Sequence, residues 1–503
     1  MSLARVYSRA NVGVEAPEVA VEVHVGNGLP KVSLVGLPQT AVRESKDRVK
    51  AALLNAGFDF PDGAVTISLG PADLPKEGSR FDLPIALGIL AASGQVDDSR
   101  FEDFEFIGEL SLSGKLKPIR GTLPVAIRAR SVRRGLVVPI DCGPEAALAK
   151  GRRTYCAESL LSVVSWLHGD GRLPRARPPA TSPAAHGADL ADVQGQARAR
   201  RALEIAAAGA HNLLMSGPPG TGKTMLASRL PGILPPMTRE EALAAAAVAS
   251  VSRSGLDLDR WAVRRFRAPH HTASSAALVG GGSQPRPGEI SLAHHGVLFL
   301  DELPEFHRNV LEVLREPLES GRIVISRAAA FAEFPARFQL VAAMNPCPCG
   351  YAGDRTGRCR CSAEQIRRYR ARISGPLLDR IDLHVEVARP ARLRFGPDAP
   401  AGEDSDSVRQ RVVRARRIQA VRAGRPNAHL DNRGVKETCG LDPPQQAFLE
   451  DVALRFDLSP RACQRIIKVA RTVADLAEAE RIGMDDLAEA VAYRGIDCGP
   501  LQE

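Results

Sequence analysis

Long apolar runs are missing from this 503-residue chain. No stretch approaches the roughly 18 apolar residues that a membrane-spanning helix needs, which argues against a helical membrane protein. Residues 1–23 contain no uninterrupted apolar segment either, so they do not read as a secretory signal. Cysteine is scarce. Nine in this length is an odd number at low density, which argues against a disulfide framework and for a reducing, cytoplasmic compartment. Four of the nine crowd into residues 347–361, while Cys142, Cys156, Cys439, Cys463 and Cys498 are scattered and read as inert thiols. Aromatic residues are sparse at 4%, yet 44% hydrophobic and 25% charged residues is the balance of a soluble globular protein. The net charge of +9 and pI near 9.2 are compatible with a nucleic-acid partner, although arginine so outnumbers lysine that charge alone decides little.

A chain of this length exceeds one compact core, so several domains are expected. Residues 1–168 read as mixed α/β, with alternating runs such as EVAVEVHV and KVSLVGL and a helical AVRESKDRVKAALLNAG ending at glycine. Residues 169–188, rich in Pro, Ala and Gly, read as a linker. A second α/β unit follows over 189–396. A break near GPDAPAGEDSDS separates it from a helical region over 405–503.

The second unit carries the chemistry. GPPGTGKT, residues 217–224, lies between an apolar strand and a helix, the setting a phosphate-binding loop requires. Gly217, Gly220 and Gly222 allow close backbone approach, so that successive N–H groups of the loop can point at phosphate oxygens, while Pro218, Pro219 and Thr221 complete the cradle. Lys223 supplies charge to the β- and γ-phosphates, and Thr224 offers a hydroxyl to Mg2+. Downstream, GVLFLDELPEF ends a buried strand in two acids. Asp301 is placed to hold Mg2+, and Glu302 to polarise an attacking water. A third strand, FQLVAAMNP, ends at Asn345, whose neutral amide can position that water. Arg380, in LLDRIDLHVEV, precedes a fourth strand, and Arg461 opens a C-terminal helix.

Loop, acidic pair, polar strand tip, Asp-Arg-Ile-Asp and helical arginine, in that order, resemble the AAA+ ATPases. That resemblance implies a P-loop core with a parallel sheet, a helical lid, ATP and Mg2+ as cofactors, and Asn345 as the first sensor. It makes Arg380 a finger reaching a neighbour's nucleotide and Arg461 the second sensor, with Arg465 or Arg471 as alternatives. The competing reading of Arg380 is an internal ion pair with Asp379 or Asp382. An arginine acting on a neighbour requires a ring, and a hexamer is the usual closure. The long Gly-, Pro- and His-rich stretch at about 266–296 looks like the insertion of the magnesium-chelatase-like and helicase-like branch. Its His270, His271, His294 and His295 lack metal-ligand spacing and are expected to pack or line a pore loop.

Four blocks narrow the match: VGLPQTAVRESKDRVKAALLNAGFDFP, PADLPKEGSRFDLPIALGIL, GGGSQPRPGEISLAHHGVLFLDELPEFHRNVLEVLREPLESG and ISGPLLDRIDLHVEV. They resemble the YifB/ComM family of magnesium-chelatase-like AAA+ ATPases across nearly the whole chain. The resemblance implies an N-terminal domain with the ribosomal-protein-S5 domain-2 fold, similar to the Lon protease domain. Lon-type proteolysis needs a serine activated by a lysine. Here the nucleophile position holds Arg80, with Ser79 one residue early, and the lysine position falls in TLPVA, so no peptidase is expected.

ComM-type members of that family are hexameric DNA helicases promoting branch migration in natural transformation, which implies a motor acting on single-stranded or branched DNA. The basic segments 364–373 and 409–425 are candidate phosphate contacts, with solvated faces or subunit contacts as the alternative. A chelatase motor inserting metal into a tetrapyrrole is the rival, as is a regulatory ATPase without helicase activity. Chelatase ATPase subunits generally lack the long Lon-like domain.

Cys347, Cys349, Cys359 and Cys361 form C-x-C-x9-C-x-C. Four thiolates at this density suit a structural tetrahedral Zn2+, although the C-x-C gap is tighter than the common one. Free or redox-active thiols, a disulfide and an Fe–S cluster remain alternatives.

Overall fold

The computed structural model describes residues 2–179, 188–282, 285–327, 330–353, 357–389 and 402–494. Cys498 and parts of the two breaks noted above lie outside these residues. The N-terminal unit is built on a seven-stranded mixed sheet: β1 (Ser2–Arg9), β2 (Glu18–Gly26), β3 (Lys31–Val35), β4 (Ala64–Gly70), β5 (Phe104–Phe106), β6 (Gly135–Pro139) and β7 (Thr154–Ala157). The spatial order is β3-β4-β2-β1-β5-β6-β7. Alternation in β2 buries Val19, Val21 and Val23 on one face. The apolar helix Asp82–Ala92 packs there. It comes so close at Gly88 that a Cβ would lie 2.6 Å from Val23 Cγ2, so only glycine fits.

The stretch read as a linker begins inside this unit. Cys156 N–H donates to Pro174 O at 2.8 Å, and Ala176 N–H to Thr154 O at 3.0 Å, which adds residues 174–176 to the edge of β7. Leu173 is buried beside them.

The second unit is a five-stranded, all-parallel sheet: β8 (Leu213–Ser216), β9 (Phe266–Arg267), β10 (Val297–Leu300), β11 (Gln339–Met344) and β12 (Leu383–Glu386), ordered β9-β10-β11-β8-β12. Its central strands LLMS, VLFL and QLVAAM are buried throughout, as expected for a parallel sheet covered on both faces. The registers Ser216↔Met344 and Leu300↔Ala342 bring the carboxyl ends of β8, β10 and β11 to one edge. The stretch expected to be an insertion from 266 starts with an edge strand of this sheet, since Phe266 and Arg267 pair with Val297 and Leu298.

Helices Ser405–Ala423, Pro443–Arg455, Pro460–Leu476 and Met484–Ala492 form the C-terminal region. Asp404, Asp442 and Ser459 cap the first three, each accepting a backbone N–H from the first turn. One apolar cluster joins this bundle to the helix Ala197–Gly209 and the core sheet, through Val412, Ile466, Val469, Leu203 and Leu213. The N-terminal unit meets the core through the helix Arg239–Ser250. Arg239 Nη2 donates to Leu148 O at 2.7 Å, and Gly121 N–H to Ser250 O at 3.1 Å. No helix among the described residues is long and apolar enough to cross a membrane.

Candidate nucleotide site and cysteine cluster

The loop 217–224 leaves the end of β8 and turns into the helix Lys223–Ile233. Two of its residues, Gly220 (φ 76°) and Gly222 (φ 87°), hold left-handed backbone that other residues adopt only at a cost. Gly217 is fixed by crowding, since a Cβ there would lie 2.2 Å from Val387 O. Lys223 is buried, and its Nζ donates to Gly217 O at 2.6 Å, Pro218 O at 3.0 Å and Asn345 Oδ1 at 3.2 Å. Burial lowers the lysine's pKa, while Asp301 and Glu302 act to restore its charge.

Thr224 Oγ1 donates to Asp301 Oδ2 at 2.6 Å, so a hydroxyl and a carboxylate oxygen converge at the helix start. Hard oxygen donors of this kind, completed by water and phosphate, suit Mg2+. Glu302 sits at φ +52°, a left-handed conformation uncommon outside glycine, and its carboxylate stays half-exposed. Pro219 to Met225, Asp301, Glu302, Met344 and Asn345 line a cavity of about 390 Å3. The residues expected to bind and cleave a nucleotide therefore meet in one place.

A second cavity of about 490 Å3 adjoins the first along the same loop, lined by Val193, Gln194, Gln196, Met225 and Arg389 among others. Its size and apolar share suit the base and sugar of a nucleotide whose phosphates occupy the first. Gln196 is anchored by Nε2 donating to Ala388 O at 2.7 Å and Thr221 O at 3.3 Å. Val193, Gln194 and Gln196 were missed in the sequence because they precede the loop by more than twenty positions and form no charged motif.

His271 was also missed as a site residue. Its Nδ1 lies 3.2 Å from Glu302 Oε2. The only available signal was its position shortly after β9, which runs parallel to β10 and carries the chain toward Asp301. His294 and His295 pack, whereas His270 is exposed. His294 Nδ1 accepts the Arg337 N–H at 3.0 Å, and burial pushes this ring down to about 3.

Arg380 lies elsewhere. It precedes β12 while the phosphate loop follows β8, and Leu213↔Leu383 sets those strands side by side and parallel. Asn212, just before β8, donates to Arg380 O at 2.9 Å. Arg380 is thus at the amino edge of the sheet, a strand length of about 13 Å from the carboxyl edge. It lines neither cavity. Its guanidinium pairs with Glu319 and donates to Pro376 O at 2.6 Å, with Nε buried and unpartnered. The internal partner is therefore Glu319 rather than Asp379 or Asp382. Asp382 pairs with Arg465 and accepts the Asn212 N–H. Although burial opposes its charge, Arg465 and His211 hold its pKa well below the carboxylate range.

The structure does not bring Arg461 to the nucleotide cavity: it is exposed at the start of its helix and lines neither pocket. Arg471 is buried against Asp475. In the N-terminal unit, Arg80 is half-buried and its Nη2 donates to Arg120 O at 2.9 Å, and desolvation of the guanidinium lowers its pKa to about 10. The Ser79 hydroxyl donates to Glu109, which also pairs with Lys117 at 3.7 Å.

Of the basic segments, 409–425 is largely spent internally. Arg411 pairs with Glu204 and Glu403, Arg414 with Glu478, Arg422 with Asp475, and Arg416 donates to Ala207 O. Helix Ala363–Arg370 keeps Arg367 and Arg370 exposed.

The four clustered cysteines converge. Cys347 Sγ lies 3.3 Å from Cys349 and 3.8 Å from Cys359, and Cys349 lies 3.7 Å from Cys359. With Cys361 included, all four ligand atoms fall within 4.8 Å of one another. A tetrahedron with metal–sulfur bonds of about 2.3 Å has edges of about 3.8 Å, so the donor set fits Zn2+. Backbone N–H groups of Arg360 and Tyr351 push Cys349 down to about 6. Cys361, despite an N–H from Cys349, is pushed up to about 11 by the neighbouring sulfur. Four thiols this close ionise together only around a cation.

Family models for magnesium chelatase subunit ChlI match residues 189–394, for subunit ChlI of Mg-chelatase residues 21–141, and for the ChlI C-terminal region residues 402–494. The chain is 52% identical to the competence protein ComM of Haemophilus influenzae over 99% of its length and 98% of that protein. It is 48% identical to YifB of Escherichia coli over 99% of its length and 98% of that protein. A magnesium-chelatase 38 kDa subunit of Acidiphilium rubrum is 28% identical over only 23% of this chain and 28% of its own length.

Proposed function

We propose, from the premise that this chain belongs to the ComM/YifB family of magnesium-chelatase-like AAA+ ATPases, that it hydrolyses ATP in a homo-oligomeric ring, a hexamer, and uses the cycle to move along DNA. One observation carries the reading: Lys223, Thr224, Asp301, Glu302 and Asn345 line one cavity, whereas Arg380 sits on the opposite edge of the same sheet. An arginine there cannot serve its own nucleotide, but in a head-to-tail ring that edge meets the next copy's cavity.

In this reading Gly217 to Thr224 cradle the phosphates, and Lys223 leaves its carbonyl partners for the γ-phosphate. Thr224 and Asp301 hold Mg2+, which neutralises developing charge when bound. Glu302 takes the proton of the attacking water, and Asn345 orients that water. Arg380 of the adjoining copy stabilises the leaving charge once it swings from Glu319. Arg461 would act as second sensor only after the helical region shifts.

The DNA substrate is inferred from the relative called a competence protein and from the exposed arginines of Ala363–Arg370. The N-terminal sheet is assigned to ring assembly, and the cytoplasm is the compartment. A model named for a chelatase subunit also matches residues 21–141, so the N-terminal unit alone does not separate the two motors. Coverage does favour one: ComM aligns over 98% of its length, the chelatase subunit over 28%. ATP-dependent branch migration of a labelled four-way DNA junction tests the proposal, with Glu302→Gln as the inactive control. Vigorous ATP turnover with an immobile junction would sink the DNA motor and turn attention to tetrapyrrole metal insertion.

A further inference from the structure

We propose that Cys347, Cys349, Cys359 and Cys361 bind one Zn2+ and that this metal braces the wall of the nucleotide site; the second half rests on the ATPase reading. The cluster is joined to the site at three points. Cys347, fully buried, follows Asn345 by two residues, so one ligand is tied to the tip of β11. The Gly350 N–H donates to Cys347 O at 2.9 Å, closing a tight turn that Gly350 completes at φ +84°. At that turn a Cβ would lie 2.7 Å from Pro219 Cδ, so the loop rests directly on the phosphate-binding loop. Next, the Tyr351 ring lies 5.6 Å from the Arg389 guanidinium, within cation–π range. Pro219 and Arg389 both line the larger cavity.

Gly350 and Tyr351 immediately follow the ligand Cys349, and the second ligand pair lies ten residues further on. Joining the two C-x-C pairs through a metal holds Gly350 and Tyr351, the two residues that press on the cavity wall, in place. The Ala352 N–H donates to Cys347 Sγ at 3.2 Å, the hydrogen bonding that orients a thiolate ligand. All four positions are sulfur, which leaves no open site for substrate, so the metal is structural.

The test uses the full-length protein. Elemental analysis should find about one zinc per chain, and Co2+ taken up in its place should show the d–d bands of tetrahedral thiolate coordination. Fluorescent ATP-analogue titration should find the Cys359→Ser/Cys361→Ser variant metal-free and about fivefold weaker in binding, through lost preorganisation. Tyr351→Ala keeps all four ligands, so it tests the brace even if the double variant fails to fold. It should retain zinc yet bind about threefold more weakly. Metal-free wild-type protein overturns the proposal whole, and unchanged affinity in a folded, zinc-free double variant overturns the brace. A zinc-loaded wild type that binds no ATP overturns the ATPase reading and the brace with it. Zinc-loaded wild type that binds ATP while Tyr351→Ala binds equally well overturns the brace alone.

Discussion

Replacing Arg380 by alanine should leave the subunit folded and its own nucleotide bound, yet stop hydrolysis. The ion pair with Glu319 has an exposed partner and is worth about 0–1 kcal/mol. The bond to Pro376 O adds about 1 kcal/mol. The subunit should therefore lose about 1–2 kcal/mol of stability. An arginine that stabilises the transferring phosphoryl group is worth about 10³–10⁵ in rate, or about 4–7 kcal/mol of barrier. The two effects differ enough to separate. Mixing supplies the sharper assay. Arg380→Ala subunits retain Glu302, and Glu302→Gln subunits retain Arg380, so each lacks what the other has. If subunits combine at random in equimolar mixture, about a quarter of interfaces join an intact cavity to an intact arginine. Steady-state ATPase of the mixture should rise to about a quarter of wild type per site, from two parents near zero. Activity that stays at the parental level, or that falls out as the plain average of the two, refutes an arginine acting across the interface. So does Arg380→Ala hydrolysing at the wild-type rate.

Lys223→Ala removes the buried ammonium that converges with Asn345 on the phosphate position. It should weaken ATP binding by about 100-fold, roughly the worth of a charge-assisted pair, in an equilibrium binding assay; near-normal affinity would relocate the phosphates. Gly350→Ala places a methyl against Pro219 at left-handed φ and should cost about 1 kcal/mol of stability while weakening ATP binding, read by thermal melt and titration. Unaltered binding would separate the cysteine loop from the cavity. Acid should destabilise the fold. Burial pushes His294 and His384 down to about 3, and His429 to about 4. These rings stay neutral when folded but take up protons when unfolded below about pH 6.5, so stability is full above that pH and falls below it. Each ring contributes up to about 1.4 kcal/mol per pH unit. Urea midpoints should drop steeply from pH 6.5 to pH 5; a flat profile would mean the rings titrate normally.

The site proposed to bind nucleotide was readable from residue order because each part is local. A glycine loop between strand and helix, acids ending an apolar run, and an amide ending another carry their meaning within ten residues. Parallel strands then bring those ends to one edge, so Lys223, Thr224, Asp301, Glu302 and Asn345 converge as the sequence alone indicated. The four cysteines, close in sequence, likewise gathered. Relations between distant segments were decided by tertiary structure. Nothing near Arg380 in sequence foretold Glu319 as its partner, because the pairing depends on how far two side chains reach across a packed interface. The arginines of 409–425 resembled a nucleic-acid surface in composition, but Glu204, Glu478 and Asp475 from remote segments pair with Arg411, Arg414 and Arg422. His271 beside Glu302, Gly350 against Pro219 and Arg461 away from the cavity belong to the same class. Composition and spacing specify which groups a chain owns, and only the folded path fixes which of them share a few ångströms of space.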